Sequence, residues 1–259
     1  MKFQILNSVV LVTILILLGC MAKYDLSGTY ILFPLILWVV IVSVSSFHVQ
    51  WNFFLNAVSK GSSTENKIAL TFDDGPHPNY TSCVLDLLEK HGAKATFFCI
   101  GKKLKKHPEV LQEIHLKGHS IGNHSFSHAY FIDFSEKNKW IREINRTDKE
   151  IERVTDKKPR FFRPPFGVTT PHLAKAIRKT GHTVVGWNVR SFDSLKNPHQ
   201  VVEKVLNETK PGSIILLHDH LPGIIPILEE LLSKLRSRNF TFVTIDELIV
   251  SEPHESNQV

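Results

Sequence analysis

The first sixty residues are patterned unlike the rest of the chain. Residues 3–22 and 26–59 carry no charged side chain, and the second stretch is built round "YILFPLILWVVIVSVSSF". A membrane span needs about 20 apolar residues. Both stretches meet that length and neither has a polar face, which predicts two transmembrane helices at about 4–22 and 30–49, joined by "KYDLSG". The "WNFF" that follows fits an interfacial aromatic belt. Two rival readings attach to the first stretch: a cleaved signal peptide, or a lipoprotein signal with Cys20 of "LLGC" acylated. The second apolar stretch weighs against both. Lys2 and Lys23 lie at opposite ends of the first span, so the positive-inside rule leaves the orientation a tie.

Beyond residue 58 the period changes. "SKGSSTENK", 59–67, reads as a polar linker. Short apolar runs then predict strands at 68–72, 95–100, 119–123, 161–163, 183–189, 213–218 and 240–245. Between them the spacing predicts helices at about 79–91, 103–117, 135–155, 171–180, 198–209 and 224–238. Gly92, Gly118 and Gly181 follow helix ends, and Pro171 stands just inside a start. Strands alternating with helices imply parallel βαβ units. The expected fold is α/β, a distorted seven-stranded (β/α) barrel over residues 68–250, preceded by the two-span anchor of residues 1–58 and followed by a polar tail, 251–259.

Composition narrows the function only a little. The chain carries a net charge of +6, too weak for a nucleic-acid footprint without a basic and aromatic stripe, and none is present. Nothing in the sequence points to a protein partner. Cys20, Cys83 and Cys99 share no metal-ligand spacing and read as small hydrophobes.

Candidate chemistry gathers just past the strands, where barrel sites form. The first predicted strand ends in Asp73 and Asp74, and the third leads into "NHSFSH" with His124 and His128. The fourth leads into "RPPFG" with Arg163, the fifth into "RSFD" with Arg190 and Asp193, and the sixth into "HDH" at His218. Two histidines four apart on a helical turn would share one face and one metal ion. One aspartate would complete a three-ligand site with an open position, and the other would be free to act as a base. The bland reading of "DDG" is a turn, and His119, His220 and Asn123 read as bystanders or turn residues. Trp187 reads as core packing, and "GKKLKK" as a solvated helix start.

In this order, "TFDDGP", "HSFSH", "RPPFG" and "LLH" resemble the motifs of the polysaccharide deacetylase family (the NodB homology domain, carbohydrate esterase family four), over roughly residues 65–250. The resemblance implies a hydrolase that uses one divalent metal ion, zinc, to remove acetyl groups from a polysaccharide. It implies Asp73 as general base, and Asp74, His124 and His128 as metal ligands. Arg163 would orient the base, and His218 would be the general acid. Pro164 and Pro165 would shape a turn that offers the Phe166 N–H to an oxyanion, and Leu216 would line the acetyl pocket.

One stretch departs from the family pattern. Where members carry "W-x-V-D-x-x-D-W", with the first aspartate tuning the acid, this chain reads "WNVRSFDS". Arg190 stands at the aspartate's place and is expected to depress the acid's pKa, leaving Asp193 or Asp219 to compensate. The leading expectation is removal of N-acetyl groups from an N-acetylglucosamine polymer, peptidoglycan or another surface glycan, with the domain outside the cytoplasm. An O-acetyl esterase on xylan and a glycan-binding pseudoenzyme stand as alternatives.

Overall fold

The computed structural model describes residues 2–62 and 64–249; the tail expected at 251–259 lies outside them. Two apolar helices open the chain, α1 (Lys2–Tyr24) and α2 (Leu32–Ser46), the latter entered through a 3-10 turn at Gly28–Ile31. Each helix, α2 counted with its turn, is long and apolar enough to cross a membrane. They form a hairpin in which the Trp38 indole donates to Asn7 Oδ1 at 2.8 Å. The start of α1 meets the segment that follows α2: Phe3 N–H donates to the Phe53 carbonyl, and Lys2 Nζ to that of Trp51.

The strands are β1 (Ala57–Val58), β2 (Lys67–Asp73), β3 (Ala95–Cys99), β4 (Ser120–Asn123), β5 (Phe161–Phe162), β6 (Thr183–Val185), β7 (Val189–Arg190), β8 (Ile214–His218) and β9 (Thr241–Phe242). They run in the order β1-β6-β5-β4-β3-β2-β8-β7, all parallel, with β9 beside the start of β2. The strand expected at 183–189 is broken at Gly186–Asn188 into β6 and β7. Its first half pairs with β5 and its second half with β8, so this one segment joins the two ends of the curled sheet.

The helices between them are α3 (Tyr80–Lys90), α4 (Gly101–Lys106), α5 (Pro108–Leu116), α6 (Lys137–Thr155), α7 (Pro171–Thr180), α8 (Pro198–Glu208), α9 (Ile224–Ser237) and α10 (Ile245–Ile249). The helix expected at 103–117 is therefore two. Pro108 has no N–H to give the preceding turn and forces His107 out of helical geometry, to φ −131° and ψ 60°. Sequence punctuation works at α7: the Thr170 hydroxyl accepts from Leu173 N–H, Pro171 starts the helix, and Gly181 closes it at φ 77°.

Residues 57–61, expected to be anchor end and linker, are stitched into the barrel. β1 adds to the edge of β6, Lys60 bridges Ser213, and Gly61 N–H donates to the Gly212 carbonyl at 2.8 Å. Polar side chains there conceal a backbone that pairs.

Alternation along β2 sets up the site. Ile68, Leu70 and Phe72 pack outward with α3, α8 and α9, whereas Ala69 belongs to the inner cluster with Phe98, Phe162 and Leu216. Thr71 and Asp73 continue that inward face toward the barrel axis. All three residues of the axis, Thr71, Asp73 and the Arg163 that meets them, are buried.

Candidate active site

Asp73 ends β2 and is in register with Phe98 on β3 and His218 on β8. Its inward carboxylate meets Arg163, which follows β5 and is fully buried. Every face of that guanidinium is used. Nη1 donates to Asp73 Oδ1 at 2.8 Å and to Thr71 Oγ1 at 2.7 Å. Nη2 donates to the Gly186 carbonyl, Nε to that of Val185, and the plane lies 4.1 Å over the Phe98 ring. A buried charge so enclosed fixes its partner's orientation. Asp73 Oδ2 is left facing the cavity, 3.9 Å from His124 Nε2.

The next carboxylate points elsewhere. Asp74 has φ 68°, which lifts it out of the strand's pleat toward the mouth. Its Oδ1 lies 3.1 Å from His128 Nε2 and 3.5 Å from His124 Nε2. Gly75 follows because nothing larger fits: a Cβ there would stand 2.3 Å from the Asp219 carboxylate. Lys103 on α4 donates to the Asp74 carbonyl at 2.7 Å, and Thr81 on α3 donates to Asp219 at 2.6 Å. Turn, helix starts and buried carboxylate thus fix one another.

The histidine pair does not sit on a helical turn, contrary to expectation. His124 to His128 form an irregular loop after β4, with Ser125 at φ 61° and His128 at φ 47°. Side chains hold this unusual path. Asn123 Oδ1 accepts from Ser125 N–H, and its amide donates to Asp148 Oδ1 at 2.7 Å. The Glu143 carboxylate on α6 takes the N–H groups of Phe126 and Ser127 and the Ser127 hydroxyl. The imidazoles end 4.9 Å apart, centre to centre.

These three residues fit a metal ion. Their donor atoms all lie within 4.8 Å of one another. Asp74 Oδ1 is buried and accepts no hydrogen bond. His124 gives its Nδ1 hydrogen to the Arg163 carbonyl at 2.8 Å, which turns the Nε2 lone pair inward. Burial, with His124 alongside, lowers the His128 pKa to about 4, so this imidazole is neutral and able to ligate. Burial opposes ionisation of Asp74, but the imidazoles of His124 and His128 beside it, with His218 beyond, outweigh it and hold the carboxyl well below its ordinary value.

His218 faces the same cavity from β8. Burial alone would lower its pKa, but the Asp193 hydrogen bond and charge, with Asp73 and Asp74 nearby, raise it to about 9. Asp193 Oδ1 is 2.8 Å from His218 Nδ1. The depression expected from Arg190 is therefore overturned. Arg190 lines the rim of the same cavity, its guanidinium 4.9 Å over the Phe192 ring and 5.9 Å over Trp187. Of the two carboxylates expected to compensate, Asp193 is the one that reaches the ring. Asp219 faces away, buried, with its carboxyl raised to about 7 by burial.

The cavity, about 240 Å³, is walled by Leu216, Trp187, Phe166 and Gly167. Phe166 has φ 57° on the turn after Pro164 and Pro165, and among the described residues no acceptor takes its N–H. Gly167 packs against Trp187 where a Cβ would come within 2.4 Å of the ring. Sequence reasoning passed over Glu143, Asp148 and Lys103, which hold the site's loops, and His220, which lines its rim. Acids on an amphipathic helix and lysines at a helix start give no signal of inward aim.

Fold and donor set together define a hydrolase built on a curled parallel (β/α) barrel, with one position for a metal ion. A family profile described as polysaccharide deacetylase matches residues 60–185. A peptidoglycan-N-acetylglucosamine deacetylase of Bacillus cereus is 36% identical over 191 residues, spanning 71% of this chain and 89% of that one. The crystal structure of a peptidoglycan N-acetylglucosamine deacetylase in complex with 4-naphthalen-1-yl-N-oxidanyl-benzamide superposes with a TM-score of 0.71 at 31% identity, over 75% of this chain and 92% of that one. A pseudoenzyme of carbohydrate esterase family four from Bacillus anthracis superposes with a TM-score of 0.69 at 25% identity, over 74% of this chain and 68% of that one. The chain belongs to the polysaccharide deacetylase family, a family of metal-dependent hydrolases of amide bonds that also includes pseudoenzymes.

Proposed function

We propose that this chain is a membrane-anchored deacetylase that removes N-acetyl groups from an N-acetylglucosamine-containing glycan of the cell surface, peptidoglycan foremost. One observation carries the reading: Asp73 and His218 are register partners facing one cavity, each held by its own charged partner, Arg163 and Asp193. The named activity of the similar Bacillus cereus protein supports the substrate class. The apolar hairpin supports the anchor.

Asp74, His124 and His128 would hold one divalent ion, and two imidazoles with a carboxylate suit zinc. Such an ion supplies Lewis-acid polarisation of a carbonyl and acidifies water. Asp73 accepts a proton from the attacking water, and Arg163 keeps its carboxylate aimed. The Phe166 N–H donates to the oxyanion as the carbonyl carbon becomes tetrahedral. His218, protonated at neutral pH, hands its proton to the amide nitrogen as the carbon–nitrogen bond breaks. Acetate and a free amine result.

A raised acid matters most for an amine leaving group, which favours the amide over the O-acetyl ester. The decisive assay is acetate release by the full chain in detergent, on N-acetylglucosamine oligomers and on acetylated xylan, with and without chelator. Release from the oligomers that disappears with chelator is expected. Activity indifferent to chelator, or confined to xylan, overturns the reading. Protease digestion of intact cells is expected to reach the barrel; full protection places it on the wrong side.

A further inference from the structure

The hairpin is attached to the barrel at the catalytic face. Thr169 N–H, beyond β5, donates to the Ser46 carbonyl at the end of α2, at 2.9 Å. The Gln50 amide donates to the carbonyl of Trp187, which walls the catalytic cavity, at 2.7 Å. A bilayer around α1 and α2 would therefore end level with the metal ligands rather than with the closed bottom of the barrel.

The loops on that side are dressed for such a surface. Tyr130, Phe131 and Phe134 are 85%, 78% and 86% exposed, and Phe47, one residue past α2, is 70% exposed. Large aromatic side chains so bare in water mark a surface that meets something apolar, and aromatic rings gather where bilayers meet water. A cleft of about 420 Å³ runs between them, walled by Ser46, Phe47, Tyr130, Phe134, Phe166 and Val168. Phe166 belongs to both this cleft and the catalytic cavity. Tyr130 stacks on it at 6.1 Å, and His128 meets its edge at 4.6 Å. One ring thus separates an apolar trough, continuous with the exposed side of α2, from the proposed deacetylation site.

We propose that the trough seats the hydrocarbon chain of a lipid-linked N-acetylated saccharide, whose sugar crosses Phe166 to place its acetamide in the catalytic cavity. This inference rests on the deacetylase and membrane readings above and narrows them: the substrate is nascent peptidoglycan or another surface glycan still attached to the bilayer through its lipid. The bilayer supplies the occupant, because a lipid entering the trough from beside α2 need not leave an apolar environment. The one acid in the trough, Asp133, has an Oδ1 without a hydrogen-bond partner, and burial raises its carboxyl to about 7. Near neutral pH about half of it keeps its proton and can donate to a hydroxyl or phosphate at the head of the chain.

The test uses the full chain in phospholipid vesicles. The substrates are N-acetylchitotetraose in solution and the same tetrasaccharide joined through its reducing end to a long isoprenoid in the vesicle. Burial of only two methylene groups is worth about tenfold, so the lipid-linked form should show a KM lower by at least about that factor at equal surface concentration. The F47S/F134S double variant should lose that advantage and keep its turnover of the soluble tetrasaccharide, since neither ring touches the catalytic groups. Equal rates on both substrates, or an equal fall of both in the variant, overturn the inference and leave the deacetylase reading standing. Absence of acetate from both overturns the deacetylase reading. Photolabelling by a photoreactive isoprenoid-linked saccharide then decides the trough separately: label within residues 43–47, 130–134 or 166–170 supports it, and label elsewhere refutes it.

Discussion

Asp193 holds His218 at two points: Oδ1 meets the imidazole Nδ1 at 2.8 Å, and Oδ2 accepts the backbone N–H of the same histidine at 2.7 Å. One carboxylate thus fixes the ring, its tautomer and the strand end that carries it. Against the lowering effect of burial, and with the charges of Asp73 and Asp74 nearby, it also raises the ring's pKa from the ordinary 6.5 to about 9. The histidine is protonated across the neutral range, as a proton donor to an amine must be.

The rate is therefore expected to fall as pH rises through about 9. In Asp193→Asn this alkaline limb should move down toward the ordinary histidine value, with a rate loss on the order of 10²-fold near neutrality. Folding is linked in the same direction. A pKa raised in the folded state gives stability fully present below 6.5 and lost as pH climbs through about 9. Urea midpoints taken from pH 6 to pH 10, set against those of Asp193→Asn, measure the second effect, and pH–rate profiles the first. An unmoved alkaline limb would remove His218 from its role.

The two aspartates should separate cleanly. Asp73→Asn is expected to lower acetate release by about 10²- to 10⁴-fold while the protein keeps its metal. Asp74→Asn should lose both, because the neutral amide is a poor ligand between two imidazoles. Elemental analysis of the purified variants alongside the activity assay tells them apart. Equal metal loss in both would merge the two roles.

Arg163 is expected to be the least replaceable polar residue. Its removal leaves Asp73 buried with a bare charge, a loss of about 3–5 kcal/mol in comparable buried pairs. Arg163→Met should lower the thermal midpoint sharply. Arg163→Lys, which keeps charge but not the fork to Asp73, Thr71, Val185 and Gly186, should fold yet act slowly. Calorimetry and acetate release distinguish the two substitutions.

Gly75→Ala should destabilise by about 1–3 kcal/mol, because the new methyl meets the Asp219 carboxylate. Asp219→Ala in the same chain makes room and should return part of the loss. A double variant no better than the single one would show that the strain lies elsewhere. Denaturant titration of the three variants settles it.

Much of this was legible from residue order alone. Apolar runs that end in titratable groups gave the barrel and placed Asp73, Asp74, His124, His128, Arg163 and His218 at one mouth. The misses have common causes. Side-chain spacing says nothing about backbone φ, so the histidine loop passed for a helical turn, although Ser125 and His128 are left-handed. Residue order left Asp193 and Asp219 as equal candidates to hold the acid, because reach is decided by where a loop turns; the turn at Phe192, φ 58°, brings Asp193 back to His218. Ser59, Lys60 and Gly61 read as the start of a polar linker, although the backbone of this segment is paired.

That pairing has a consequence for how such a protein would meet its substrate. A tethered domain sweeps a hemisphere as wide as its leash. Here β1 and Gly61 leave no leash: the chain passes from hairpin to barrel through backbone bonds to β6 and Gly212. Held in a bilayer, the mouth would ride at constant height and search a plane rather than a volume. Its working rate would then follow lateral diffusion and the number of acceptors per unit area.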